Sequence, residues 1–265
     1  MTRVPVALCL SLAALTLAAQ PAQAQPAPAP SAQPQAAPPV PYRFYLSVDA
    51  GAEVKSQTLS VPGSFPLYGE TATFTSTVAI NNAPMVNLEG GGRLWRNLFG
   101  SAAFTWRLKS SSGSDVTASI PHPLYGGEPR TATTNVSPLE HYQSAIHISL
   151  AWEMNVAKKA TVRFFGGPSF FGVKQDVVSA ITVQEAGAPY TSVTISGATL
   201  TRLSDFGAVG YNVGLDGTYM FSRRVGAGVL VRLAGGTVDL TGPGDMKFSV
   251  DAGGFDAGLG IRVRF

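Results

Sequence analysis

Charge is scarce in this sequence. Asp, Glu, Lys and Arg make up 13% of its residues, where a soluble globular domain carries about 25%. The net charge is +3 and the arginines are dispersed, so there is no basic patch to read as a nucleic-acid surface. Cysteine is almost absent. Cys9 is the single one and lies in the N-terminal segment, so the rest of the chain has no disulfide and no cysteine metal site. Beyond that segment no run of eighteen apolar residues occurs, which excludes a helical membrane span. Low charge without helical spans is what a lipid-facing β-barrel needs, because half of each strand must be apolar and the other half need not be.

The first stretch reads as targeting and spacer. In residues 1–24 Arg3 supplies the positive start, Val4 to Ala19 the apolar run, and Ala22-Gln23-Ala24 a small-x-small cleavage site, as in a secretory signal peptide cleaved near Ala24. Residues 25–41, QPAPAPSAQPQAAPPVP, have nothing to bury, and proline blocks ladder hydrogen bonds. They read as a disordered Pro/Ala/Gln-rich linker. Residues 42–265 are then one domain, a length within the range of a single all-β barrel.

In that domain the organising stretch is FDAGLGIRVRF, Phe255 to Phe265. Phe255, Ala257, Leu259, Ile261, Val263 and Phe265 fall on one face, while Asp256, Gly258, Gly260, Arg262 and Arg264 fall on the other. The same alternation recurs upstream. It predicts strands at about Arg43–Val54, Met85–Trp95, Leu98–Lys109, Leu139–Met154, Thr161–Lys174, Phe206–Met220 and Val225–Leu240, with the last at Phe248–Phe265. Tight turns are expected near Asn97, Lys158 and Arg223. Longer polar connections are expected at Lys55–Pro84, Ser110–Pro138, Gln175–Asp205 and Thr241–Lys247. Gly166-Gly167-Pro168 suggests a bulge within its strand. Thr71–Ile80, and Asp176–Val183 with Tyr190–Ser196, also alternate. Their hydroxyl-rich faces favour hairpins projecting beyond the membrane over an extra membrane hairpin, which would give ten strands.

The predicted fold is therefore all-β, an eight-stranded antiparallel up-and-down transmembrane β-barrel. A soluble lipocalin-like barrel would have the opposite polarity, with apolar residues lining the inside. The oily face here carries almost no charge, and a lysine or arginine on it would cost about 2–4 kcal/mol at mid-bilayer.

Several segments carry a resemblance: SIPHPLYGGEPRTA, FFGGPSFFGVKQDVV, VGYNVGLD, and SVDAGG leading to GLGIRVRF. As a set they resemble the small outer-membrane β-barrel proteins of Gram-negative bacteria, of OmpA/OmpX type. The resemblance implies residence in the bacterial outer membrane, contact with outer-membrane lipid, and recognition of the C-terminal strand by the assembly machinery through Phe265. It implies no activity. No peptidoglycan-binding domain is expected after the barrel, so a wall-anchoring role does not carry over.

Three sets of residues are candidates for function. The inward polar set is Asp49, Glu53, Glu89, Arg93, Arg107, Glu153, Arg163, Asp216, Arg232, Asp256, Arg262 and Arg264. It reads as a permeation path or as an interior ion-pair network that plugs the barrel, and eight strands enclose a space that side chains fill, which favours the plug. His141, His147, Ser149 and Glu153 share one face of a strand, but residues two apart lie about 7 Å from each other. That spacing is too wide for a catalytic triad or a paired-histidine metal site. The loop segment with His122, Tyr125 and Arg130 is the best place for recognition, against the stronger reading of a loop stiffened to cap the barrel mouth. The expected protein is non-enzymatic, without cofactor or metal, and structural or surface-interacting through its extracellular loops. A narrow solute pore is the alternative, and a membrane-embedded lipid-modifying enzyme a weaker third.

Overall fold

A computed structural model describes residues 42–242 and 247–265. The expected signal peptide with Cys9, the expected Pro/Ala/Gln-rich linker and positions 243–246 lie outside the described residues. The strands are β1 (Phe44–Val54), β2 (Gln57–Leu67), β3 (Glu70–Ile80), β4 (Ala83–Trp95), β5 (Leu98–Ile120), β6 (Arg130–Ala157), β7 (Ala160–Glu185), β8 (Val193–Met220), β9 (Val225–Thr241) and β10 (Lys247–Arg264). Every pairing is antiparallel, and eight of the ten close a ring in the order β1, β4, β5, β6, β7, β8, β9, β10 and back to β1. Closure removes the open edges that hydrocarbon could not hydrogen-bond.

The alternation sets the two surfaces of this ring. Along β1, Tyr45, Ser47, Asp49 and Glu53 are buried inside, while Phe44, Leu46, Val48 and Val54 are exposed outside. The register Asp49↔Gly260 and Ser47↔Arg262 brings the polar face of β10 into the same interior. Exposed Phe44, Trp95, Trp152 and Phe221 crowd the rim of tight turns, and Phe104, Trp106 and Phe206 stand towards the other end. Aromatic girdles of this kind mark the two interfaces of a membrane barrel.

Above that band the polarity of the sheet inverts. On β5 the inward residues are Ser101, Ala103, Thr105 and Arg107 below, but Ser114, Val116, Ala118 and Ile120 above. Register shifts at Arg107/Ser110 and Ser112/Ser114 separate the two sets, and a bulge that adds a residue moves the following side chains to the opposite face. Strand β6 makes a matching change across Ser137-Pro138, from even inward positions such as Ala132 to odd ones from Leu139 onward. The upper parts of the strands thus turn apolar residues inward. Val78, Ile80, Val116, Ile120, Leu139, Val177, Ile181, Val238, Leu240 and Val250 form one buried cluster. Outside it stand exposed Thr73, Thr75, Thr117, Thr131 and Thr133. Each buried aliphatic side chain is worth about 1.5–3 kcal/mol against water, so this head is built for an aqueous surrounding.

The β2–β3 hairpin completes the head. Strand β3 pairs with upper β5, from Thr73↔Ser119 to Val78↔Ser114, and β2 pairs only with β3 among the described residues. The hairpin therefore projects from the eight-strand ring and does not widen it. Three connections expected to be long and polar are accordingly mostly strand. Gln57–Leu67 contains Pro62, Gly63 and Pro66 and reads as loop, yet it lies at a sheet edge, where proline needs no partner for its missing N–H. The expected bulge at Gly166-Gly167-Pro168 is also different. The β7–β8 register runs through it unshifted, and Asn212 Nδ2 donates to the Gly167 and Pro168 carbonyls at 3.0 and 3.2 Å.

Candidate functional site: a filled lumen and a clamped tip

The polar face of the ring folds into a small number of ion-paired groups. Arg262 bridges two carboxylates, with Nη1 2.6 Å from Asp49 and Nη2 2.8 Å from Asp216. Asp216 also meets Arg163 Nη2 at 3.1 Å, and the Arg163 guanidinium lies 3.7 Å above the Tyr45 ring. The Tyr45 hydroxyl donates to Glu89. Higher up, Arg232 pairs with Asp256 at 2.7 Å and donates to Thr105 Oγ1 at 2.6 Å, while Thr105 donates to Asn87. Arg107 stands 3.2 Å from Glu53, which also accepts from Gln143 at 3.1 Å. At the tight-turn end Glu153 accepts from Tyr42 and lies 3.5 Å from Arg264.

Arg93 departs from the expected set. Among the described residues it has no carboxylate partner. Its guanidinium stacks instead over the Tyr42 and Phe99 rings, 5.4 and 5.2 Å from their centroids, while Glu153, the acid at that level, is engaged by Tyr42 and Arg264. Between the polar groups there is little space. The cavity among Glu53, Thr105, Arg107, Gln143, His147, Phe171 and Asp256 is about 10 Å³, at the lower limit of what one water occupies, about 10–15 Å³.

The histidines of β6 do not converge on a nucleophile and an acid. His141 Nδ1 shares a hydrogen bond of 2.7 Å with Gln175, and His147 Nδ1 one of 2.7 Å with Ser169. Ser149 donates to Asn212 at 2.8 Å, and Glu153 faces Tyr42. Each is buried and separately partnered.

The tip of the head gathers residues that are far apart in sequence. Arg130, at the start of β6, grips Glu185 at the end of β7 with two hydrogen bonds of 2.5 and 2.7 Å. It also donates to the carbonyls of Tyr190, at 2.9 Å, and Pro121, at 2.7 Å. Tyr68, in the β2–β3 turn, donates to Glu185 at 3.1 Å. Bidentate pairs of this geometry are the strong ones. Hydrogen bonding by Arg130 holds the Glu185 carboxyl below its usual value, outweighing a smaller opposing effect of burial. Arg130 is thus a clamp between two hairpins, with its donors turned inward.

Around the clamp stand aromatic rings, half-buried at His122 and Tyr190 and exposed at Tyr68 and Tyr125. His122 Nδ1 accepts from the Leu124 and Tyr125 amides at 3.1 and 3.2 Å, which locks this Pro-flanked loop. The His122 ring lies 4.8 Å from Tyr125 and edge-on to Tyr190 at 6.4 Å. Tyr68 and Tyr125 are 47% and 60% exposed, and Leu124 66%. Tyr68 and Tyr190 both sit at positive φ, 54° and 62°, a conformation costly for a bulky residue and concentrated at functional positions. Of this group His122, Tyr125 and Arg130 were visible in the sequence. Tyr68, Glu185 and Tyr190 were not, although an aromatic immediately before Gly69, where Asn or Gly would suit a hairpin turn, is a usable signal.

A closed ring of eight antiparallel strands, apolar outside and ion-paired inside, is the architecture of the small outer-membrane β-barrels of OmpA/OmpX type, and this chain has that fold. No protein-family model and no curated protein matches the sequence. Among solved structures it is similar to Neisserial surface protein A, at 12% identity and a TM-score of 0.41, over 84% of this chain and 97% of that one. It is similar to the outer membrane protein OprG of Pseudomonas aeruginosa, at 11% and 0.43, with the same coverage. It is also similar to the outer membrane protease OmpT of Escherichia coli, at 9% and 0.44, over 83% and 97%.

Proposed function

We propose that this chain is a non-catalytic outer-membrane protein that acts by surface recognition at the tip of its head, with a lumen that carries no solute. The single observation behind this reading is the ring cluster of His122, Tyr125 and Tyr190 with Tyr68 beside it, of which Tyr68 and Tyr125 are exposed, held by the Arg130–Glu185 clamp on an apolar-cored head. Rigid aromatic anchors lose little entropy on binding and dominate the energy of recognition surfaces. By the usual organisation of such barrels, tight turns face the periplasm and long connections face outward, which puts this cluster at the cell surface. The lumen supports the same reading, since paired side chains fill it below the head and aliphatic ones fill the head.

The test compares cells displaying the intact protein with cells displaying a Tyr68→Ala/Tyr125→Ala/Tyr190→Ala variant, for adhesion to host-cell and glycan-coated surfaces. Heat-modifiable migration in gels checks that both are folded. The expected result is lost adhesion with unchanged folding. Equal adhesion, or a large and reproducible open level of the purified protein in planar bilayers, would overturn the proposal.

A further inference from the structure

The outer wall of the ring is not uniformly convex. A groove of about 750 Å³ runs down it across β5 to β8, where the apolar band ends. Its floor is a row of register partners: Trp106 opposite Ser144, Ser144 opposite Gly172, and Gly172 opposite Phe206. The two middle residues are small and the flanking ones are aromatic. A Cβ added at Gly172 would fall 2.4 Å from the Phe206 ring, so that ring already lies over the glycine and leaves a trough along Ser144.

The upper end of the trough is polar. Lys174 and Ser204 are paired one step higher, beside Tyr142, and Arg202 follows opposite Asp176. Lys174 is the first charged side chain met on the outer face of β7 above the apolar band. Arg202 is 49% exposed. Its Nε lies 2.7 Å from Asp176, its Nη2 2.9 Å from Glu140, and its guanidinium over the Tyr142 ring. The acids at this level are thereby engaged by Arg202, and Asp205 Oδ1 accepts the Phe206 amide at 2.8 Å. No ion pair of Lys174 is found among the described residues.

We propose that this groove is a binding site for one bilayer lipid with an anionic phosphate headgroup. The acyl chain lies along Ser144 between Trp106 and Phe206, and the phosphate meets Lys174, with the exposed side of Arg202 and the Ser204 hydroxyl around it. The location selects the occupant, because a hollow on the lipid-facing wall that opens upward at the headgroup level is filled by lipid. The charge selects the headgroup, since a cation above an apolar trough favours a phosphate with net negative charge over a zwitterion. This inference rests on the membrane-spanning reading of the ring.

The test uses Trp106 as a reporter in a Trp95→Phe/Trp152→Phe background, folded into vesicles of phosphatidylcholine and phosphatidylglycerol in which one lipid carries brominated chains. Quenching as a function of composition gives the relative affinity at the groove. We expect phosphatidylglycerol to be preferred roughly fivefold, the worth of one cation at a lipid surface, with the preference falling towards one in Lys174→Ala and rising in Asp205→Asn. Quenching by both lipids without preference, or a preference untouched by Lys174→Ala, overturns the site and leaves the spanning reading intact. Absence of quenching by either lipid overturns both.

Discussion

Arg262 and Asp49 stand 213 positions apart and meet at 2.6 Å inside the ring. The pair joins the last strand to the first, and the same guanidinium holds Asp216 on β8. All three side chains are at most 2% exposed. Removing a buried partner leaves an uncompensated charge, at a cost of about 3–5 kcal/mol. Arg262→Ala, which leaves Asp49 without a cation while Asp216 keeps Arg163, should lower stability by about that much, read as an earlier urea midpoint in vesicles. The double variant Arg262→Met/Asp49→Asn, which leaves Asp216 paired with Arg163, should recover much of the loss, because the penalty lies in the unpaired charge and not in the missing bridge.

Phe171 marks the level at which the lumen changes from ionic to apolar. Its ring meets His147 edge-on at 6.1 Å on one side. On the other it covers Gly210 and Gly236, and a Cβ at Gly210 would lie 2.1 Å from the Gly235 carbonyl oxygen and 2.7 Å from the ring. A backbone oxygen cannot move aside as a side-chain tip can. Gly210→Ala is therefore expected to cost roughly 1–3 kcal/mol through overpacking, whereas Gly217→Ala, where nothing lies within 4 Å, should be close to neutral. The two urea midpoints decide it.

The clamp at the tip has a pH dependence with a definite sign. Glu185 in the folded head is held below its ordinary value. Its contribution is complete above the unfolded value, about pH 4.3 for a glutamate, and is lost as the pH falls through the folded one. Amide exchange followed by mass spectrometry should show faster exchange at Pro121–Arg130 and Gly187–Ser192 on acidification below about pH 4. The barrel strands should be unaffected. Arg130→Gln should show the faster exchange already at neutral pH.

Tyr68 separates strain from recognition. It holds φ at 54° beside Gly69 at 80°, the two-residue turn for which Asn-Gly is the preferred pair. Tyr68→Asn should leave the hairpin as stable as before or more so, by thermal unfolding, while adhesion falls. An unstable Tyr68→Asn head would mean that the ring is there for packing.

The sequence showed the ring clearly and the head poorly, for one physical reason. In β1, and in β10 from Phe255 onward, the alternation is unbroken, and lipid on one side makes the contrast between faces large. In β5 the pattern is broken at Ser110–Ser114, where the bulges lie. Above them Thr117 and Ser119 outside and Val116 and Ala118 inside look like a polar loop with scattered aliphatics. The pairing Thr73↔Ser119 also requires knowing which segments lie side by side. The interior charges were legible as a set, since parity alone places them. Their partners were not, and Arg93 shows the limit: parity puts it near the lumen but says nothing of the Tyr42 and Phe99 rings it meets there. At the tip the loop with His122 announced itself by its prolines. Glu185 and Tyr68, which complete the cluster, come from hairpins that only the fold brings near.

The reversal of polarity along β5 and β6 gives the molecule a waterline. A strand that is oily outwards for its lower span and oily inwards for its upper one has a single height at which both halves are satisfied. Sinking by two residues would drag threonine hydroxyls into hydrocarbon, and rising by two would lift aromatic rings clear of it. Vertical placement is thus written into two bulges, and the groove at Lys174 is held at the level of the lipid phosphates for as long as those bulges persist.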